Sequence, residues 1–147
     1  MSDPTIHAGA VLTGATAVLI LGASGSGKSR LALALLEAAA TGLLPFARLV
    51  ADDRALLEVS HGRLLVRPAP ALAGLIELRG VGLLRFPHEP VARVSLAIGL
   101  GETGDRLPEI NASWAYNGIE IPYLTCPPGV DPRPLLIGRL RGDAAAD

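Results

Sequence analysis

The chain has 147 residues, half of them hydrophobic, which suits one domain with one core. Its formal net charge of −1 argues against a general nucleic-acid binder and against a surface that holds acidic membranes by bulk charge. The lone Cys126 excludes an internal disulfide, no apolar run reaches the length of a membrane span, and no charged-then-apolar leader opens the chain, so a reducing cytoplasm is the expected compartment.

The apolar runs are short and are cut by Gly and Pro. Residues 5–12 and 16–21 flank Thr13-Gly14-Ala15 and predict two strands joined by a tight turn. An apolar helix is predicted over 29–40, where only Arg30 and Glu37 are charged, so most of its sides should be covered. Thr41-Gly42 ends it, and Leu43-Leu44-Pro45 leads onward. Residues 48–51 predict a buried strand ending in Asp52-Asp53. Residues 55–59 and 63–67 bracket Ser60-His61-Gly62, a second hairpin signal, and 94–100 and 119–124 are further strand candidates. Asp131-Pro132 is an N-cap and first-turn pair, so a closing helix is expected to about Leu140, with 142–147 fraying. No repeat or linker divides the chain, and 1–147 is expected to be a single domain.

Between the second strand and the helix stands Gly22-Ala23-Ser24-Gly25-Ser26-Gly27-Lys28-Ser29. This is the Walker A pattern in the order strand, loop, helix that gives it meaning. Glycines let the backbone curl until successive N–H groups point inward at phosphate oxygens, and the helix start adds its positive dipole end. Lys28 is then expected to reach the β- and γ-phosphates, and the Ser29 hydroxyl to ligate Mg²⁺. All eight residues are therefore candidates for nucleotide binding. Mg²⁺ needs further oxygen ligands, and Asp52-Asp53 supplies carboxylates where an α/β sheet usually places its site. Neighbouring side chains on a strand point to opposite faces, so the two should not share one job. The plainer reading of the pair is an acidic turn that caps the next segment.

Five features together resemble the catalytic domain of the bacterial HPr kinase/phosphorylase family. His7 stands fifteen residues before Gly22. Val50-Ala51-Asp52-Asp53-Arg54 is similar to the family's Val-Ala-Asp-Asp segment, and Ile76-Glu77-Leu78-Arg79-Gly80-Val81-Gly82 to its Glu-Ile-Arg-Gly-Leu-Gly signature. Asp105-Arg106-Leu107 resembles the Asp-Arg-Leu of a later, partner-facing loop, and Ile121-Pro122 opens a stretch like the final Ile-Pro strand. The resemblance implies an α/β P-loop domain with a mixed sheet and flanking helices, its nucleotide site related to that of phosphoenolpyruvate carboxykinase. It also implies an ATP- and Mg²⁺-dependent kinase that phosphorylates a serine of an HPr-type phosphocarrier of a phosphotransferase system, and a phosphorylase that returns the phosphoryl group to inorganic phosphate. Carried over residue by residue, Asp52 is the general base, Glu77 a metal-site carboxylate beside Ser29, and Asp53 a supporting one. His7 lines the site and Arg106 approaches the phosphoryl group. Neither nucleic acid nor membrane is an implied partner, and assembly as a hexamer is.

Each assignment has a structural counterpart. His7 can be a hydrogen-bonded strand residue, Glu77 and Arg79 an exposed ion pair, Gly80 and Gly82 packing glycines, and Arg106 part of a solvated loop. His61 and His88 read as turn residues, and Cys126, beside Pro127-Pro128, as a small buried side chain. The chain also departs from the family's pattern. It looks like a short form without the family's separate N-terminal domain, and 42–46 lengthens a surface connection. The segment from His88 to Leu107 is compact. A late Pro-Gly-Arg-Asn is replaced by Pro128-Gly129-Val130-Asp131-Pro132-Arg133, with Arg133 as its equivalent. On the residues alone, a P-loop small-molecule kinase and a non-catalytic ATP-sensing module remain alternatives. The second would keep Lys28 and Ser29 without needing Asp52.

Overall fold

The computed structural model describes residues 5–101 and 112–142. Thr13-Gly14-Ala15 turns as its composition requires, joining β1 (Thr5–Thr13) to β2 (Thr16–Gly22) as an antiparallel pair. The glycine-rich loop then opens α1 (Lys28–Ala40). β3 (Ala47–Ala51), β4 (Arg54–Ser60) and β5 (Arg63–Pro68) follow, then a hairpin of β6 (Leu75–Leu78) and β7 (Gly82–Arg85). The remaining elements are β8 (Ala92–Leu100), β9 (Ser113–Tyr116), β10 (Ile119–Cys126) and α2 (Pro132–Arg141).

β2 and β10 pair with β8 in parallel, and β3 runs antiparallel to β1, which itself runs antiparallel to β2. Four strands, β2, β3, β8 and β10, therefore share one direction, and their C-terminal ends gather where β1 begins. The glycine-rich loop leaves from that end. β3 and β4 lie end to end along β1, with Asp52-Asp53 at the break between them. The β4–β5 hairpin then reaches β8 at Leu65↔Arg93 and Val66↔Ala92. Strands β1, β4, β5, β8 and β2 thus close a ring of hydrogen-bonded neighbours, with β3, β10 and β9 attached outside it.

Alternation along the central strands sends side chains into two cores. Val18, Ile20, Leu96, Ile98 and Leu100 face Leu31, Leu35 and Ala38 of α1 and Leu136 of α2. Ala17, Leu19, Val94 and Ala97 face the other way, against Leu57, Leu64 and Val66 of the β4–β5 hairpin. The phase change along β8 follows from a register shift between Ala17 and Val18, where Ser95 is passed over. In α1 only Arg30, Glu37 and Ala40 are exposed, in keeping with the apolar pattern. The 42–46 connection is a surface excursion pinned by one side chain, Leu44, which enters the helix-side core.

Candidate functional site

The loop between β2 and α1 is shaped by its glycines. Gly25 and Gly27 adopt φ of 83° and 100°, a region that L side chains rarely occupy. A Cβ on Gly22 would lie 2.5 Å from Ser26 Oγ and 3.1 Å from the Leu100 carbonyl, so this position admits no side chain. Ser26 N–H closes the turn on the Ala23 carbonyl at 3.0 Å. Gly27 caps α1 with no side-chain acceptor, leaving the first-turn N–H groups to an outside partner. The Ser26 hydroxyl is buried with no hydrogen-bond partner. These donors fit a phosphate chain, an acceptor that satisfies several N–H and O–H groups together.

Lys28 is buried, and its Nζ donates to the carbonyls of Gly22 (2.7 Å) and Ala23 (3.0 Å). The ammonium therefore lies folded against the loop it would serve. Ser29 Oγ donates to both carboxylate oxygens of Asp52, at 2.9 and 3.0 Å. Asp52 is only 4 % exposed. Burial pushes its carboxyl above the ordinary value, the Ser29 hydroxyl, the Glu77 N–H and the Lys28 charge act against that, and neighbouring Asp53 adds to it.

Asp53 has a different environment. Arg54 N–H bonds back to the Asp52 carbonyl at 2.8 Å, forming a three-residue turn with Asp53 at its centre and φ at 69°. Such a conformation costs a non-glycine residue on the order of 1–3 kcal/mol and persists where the surroundings enforce it. Here the enforcement is the Asp53 carbonyl, which accepts from Ala8 N–H at 3.1 Å. The Asp53 side chain is thrown outward, 3.9 Å from His7 Nδ1, with both side chains 58 % exposed.

Glu77 arrives from the β6–β7 hairpin. Ile76 is fully buried and Glu77 exposed, as alternation demands, and the Glu77 N–H reaches Asp52 Oδ2 at 3.4 Å. Arg79 lies in the hairpin turn, and among the described residues it forms no ion pair with Glu77. His7, Asp52, Asp53, Glu77 and the loop residues 22–29 are thus gathered at one end of the sheet. Arg106 lies outside the described residues. His61 and His88 sit away from this end, the first in the β4–β5 turn and the second against Gly74.

Among the described residues no group of three His, Cys, Asp or Glu side chains stands ready to hold a metal ion. The adjacent oxygens of Ser29 and Asp52 suit Mg²⁺ in another way, since Mg²⁺ is commonly held by one or two protein oxygens plus substrate phosphates. Sequence reading missed β9, although Asn117-Gly118 signals a two-residue hairpin, and both residues take the positive φ (45° and 86°) that such a turn requires.

A glycine-rich loop between a parallel strand and a helix, with a buried carboxylate on the loop serine, places the chain among α/β P-loop domains built on a mixed sheet. Within that class the chain belongs to the HPr serine kinase C-terminal domain family, whose model matches residues 2–129. It is similar in structure to the HPr(Ser) kinase/phosphatase from Coxiella burnetii, with a TM-score of 0.74 and 26 % identity over 95 % of this chain and 89 % of that one. Among curated proteins none matches the chain. Among the described residues no helix is long and apolar enough to cross a membrane.

Proposed function

We propose that the chain, as one catalytic domain over 1–147, transfers the γ-phosphoryl group of ATP to a serine of an HPr-type phosphocarrier in the cytoplasm. The observation that carries this reading is the contrast between the adjacent carboxylates: Asp52 is buried on the loop serine, and Asp53 faces outward beside His7. A small-molecule acceptor could enter a closed pocket, whereas a serine on a folded protein can meet only a group at the surface.

The chain's residues then divide the work. The loop N–H groups, the Ser26 hydroxyl and Lys28 hold the phosphates, with Lys28 exchanging its loop carbonyls for phosphate oxygens. Ser29 and Asp52, with Glu77 at the rim, would hold Mg²⁺, which would supply positive charge against the phosphate oxygens. The acceptor serine Oγ bonds to the γ-phosphorus as the bridge to ADP breaks, and its proton passes to a carboxylate. The resemblance gives that role to Asp52. The geometry favours Asp53, with His7 nearby, because it is the accessible one of the pair. In the reverse direction a phosphate oxygen bonds to the phosphoserine phosphorus as the bond to serine Oγ breaks, the same carboxyl returns the proton to that oxygen, and pyrophosphate is released as product. Arg106 is proposed to approach the phosphoryl group and a hexamer to be the working assembly, both on family resemblance.

The test is purified protein with labelled ATP, Mg²⁺ and the cognate phosphocarrier, with label followed into protein and small-molecule fractions. Label on a phosphocarrier serine supports the proposal. Label only on a metabolite would make the chain a small-molecule kinase, and tight ATP binding with no transfer would make it a sensing module. Pyrophosphate released from serine-phosphorylated carrier in added phosphate is expected if the reverse reaction operates, and its absence would confine the chain to the forward direction.

A further inference from the structure

The loop accounts for a phosphate chain and leaves the other end of a nucleotide unassigned. Beside it opens a cleft of about 390 Å³, lined by Ser26 and Gly27 of the loop, Arg30 on the first turn of α1, Val130 on the connection from β10 to α2, and Pro132 and Arg133 on the first turn of α2. Because Ser26 and Gly27 belong to both, the cleft continues the phosphate cradle. Cys126 fixes the far wall, its buried thiol donating to the Val130 carbonyl at 3.2 Å.

The feature of this wall is a guanidinium paired along one edge with a carboxylate. Asp131 accepts from the Arg133 backbone N–H at 3.0 Å, from Nε at 2.9 and 3.0 Å and from Nη2 at 2.7 Å. The two side chains are 61 % and 46 % exposed, so the pair contributes little to stability. Its effect is to fix the plane of the guanidinium at the cleft, with its donors occupied on one edge and its faces free of that pairing. A guanidinium held in this way is suited to lie on the face of an aromatic ring. Val130 and Pro132 add apolar surface beside it.

We propose that this cleft is the nucleoside pocket, and that Arg133, held flat by Asp131, stacks on the base. The proposal rests on the nucleotide reading of the loop given above. It concerns residues beyond the segment matched by the family model, which ends at residue 129. Stacking engages any base through its π-face, so ATP and GTP are expected to bind with similar affinity.

Isothermal titration of the whole chain with Mg-ATP and with Mg-tripolyphosphate separates nucleoside from phosphate. Arg133→Ala is expected to weaken ATP about five- to tenfold and to leave tripolyphosphate within about twofold. Arg133→Lys, which keeps charge without the plane, is expected not to restore ATP affinity. Asp131→Asn, which can still cap α2, should fall between Arg133→Ala and the parent chain. Equal weakening of both ligands by Arg133→Ala, with rescue by lysine, would reduce Arg133 to a general cation and overturn the proposal. A parent chain that binds tripolyphosphate as tightly as ATP would overturn the pocket alone. A parent chain that binds neither would overturn the reading of the loop together with it.

Discussion

The two halves of the site are built to different specifications. On the inner side, Lys28, Ser29 and Asp52 are buried or half-buried and each polar group has a partner within the protein. On the rim, His7, Asp53 and Glu77 are exposed, and Asp53 holds an uncommon backbone conformation. The inner half has the fixed geometry that a small, highly charged ligand rewards. The rim presents its side chains to solvent, as the proposed protein acceptor requires. The arrangement teaches that two adjacent aspartates can be specialised by one turn of backbone, which buries the first and exposes the second.

Substitutions can break this comparison, and the largest effect is expected from the inner half. Lys28→Ala should reduce phosphoryl transfer by about 10²–10³-fold, read as initial rate at saturating carrier. Gly22→Ala should be comparably severe, because its Cβ would meet Ser26 Oγ and the Leu100 carbonyl and deform the loop. The second contrast is between the carboxylates. Asp53→Asn is expected to cost roughly 10²-fold in transfer while leaving Mg-ATP binding intact, and Asp52→Asn to weaken the Mg²⁺ dependence of ATP binding as well. Loss of transfer in Asp52→Asn with unchanged Mg-ATP binding, beside an active Asp53→Asn, would return the base to Asp52.

A smaller effect lies in stability. The Asp52 carboxyl is raised in the folded state, so the folded chain holds its proton to higher pH than the unfolded chain does. Its contribution therefore favours folding below the ordinary carboxylate range and declines as pH rises through the raised value. Without nucleotide, Asp52→Asn should accordingly raise the melting temperature at neutral pH and have little effect in acid, a gain in stability alongside a loss of function. Destabilisation at neutral pH would show that the Ser29 hydrogen bonds outweigh the burial of charge. The smallest effect is expected at the tip of the β6–β7 hairpin, where Val81 and Leu83 are 66 % and 61 % exposed. Replacing both with serine should change unfolding free energy by no more than about 0.5 kcal/mol for each residue.

Much of this was legible in the sequence because the residues that punctuate the chain also carry the geometry. Thr13-Gly14-Ala15, the 22–29 loop and Asp131-Pro132 mark turns and a helix start that the structure contains to within a residue or so. The Asp131 side chain accepts from Arg133 N–H, as an N-cap should. The different facing of Asp52 and Asp53 was expected from strand alternation. Which of them would be buried was not, because that depends on a long-range pairing, Ala8 N–H with the Asp53 carbonyl, that no local pattern encodes. The β6–β7 hairpin is not among the strands predicted from the sequence, where 76–82 stands out only as a signature segment. Its reversal depends on Gly80 and Gly82 at φ of 85° and 107°, positions that the sequence shows as part of the family signature or, alternatively, as packing glycines. The Asp131–Arg133 pair was hidden for a similar reason: its meaning comes from the cleft it faces, and the cleft forms only when α1 and the end of β10 are brought together.

The central claim is that this loop delivers phosphate to a protein serine. Intact-mass measurement of the HPr-type carrier after incubation with the chain, ATP and Mg²⁺ tests it most directly. One added phosphoryl group, localised to serine and absent with Lys28→Ala, is the predicted result. An unchanged carrier mass under conditions where the chain binds ATP would contradict it.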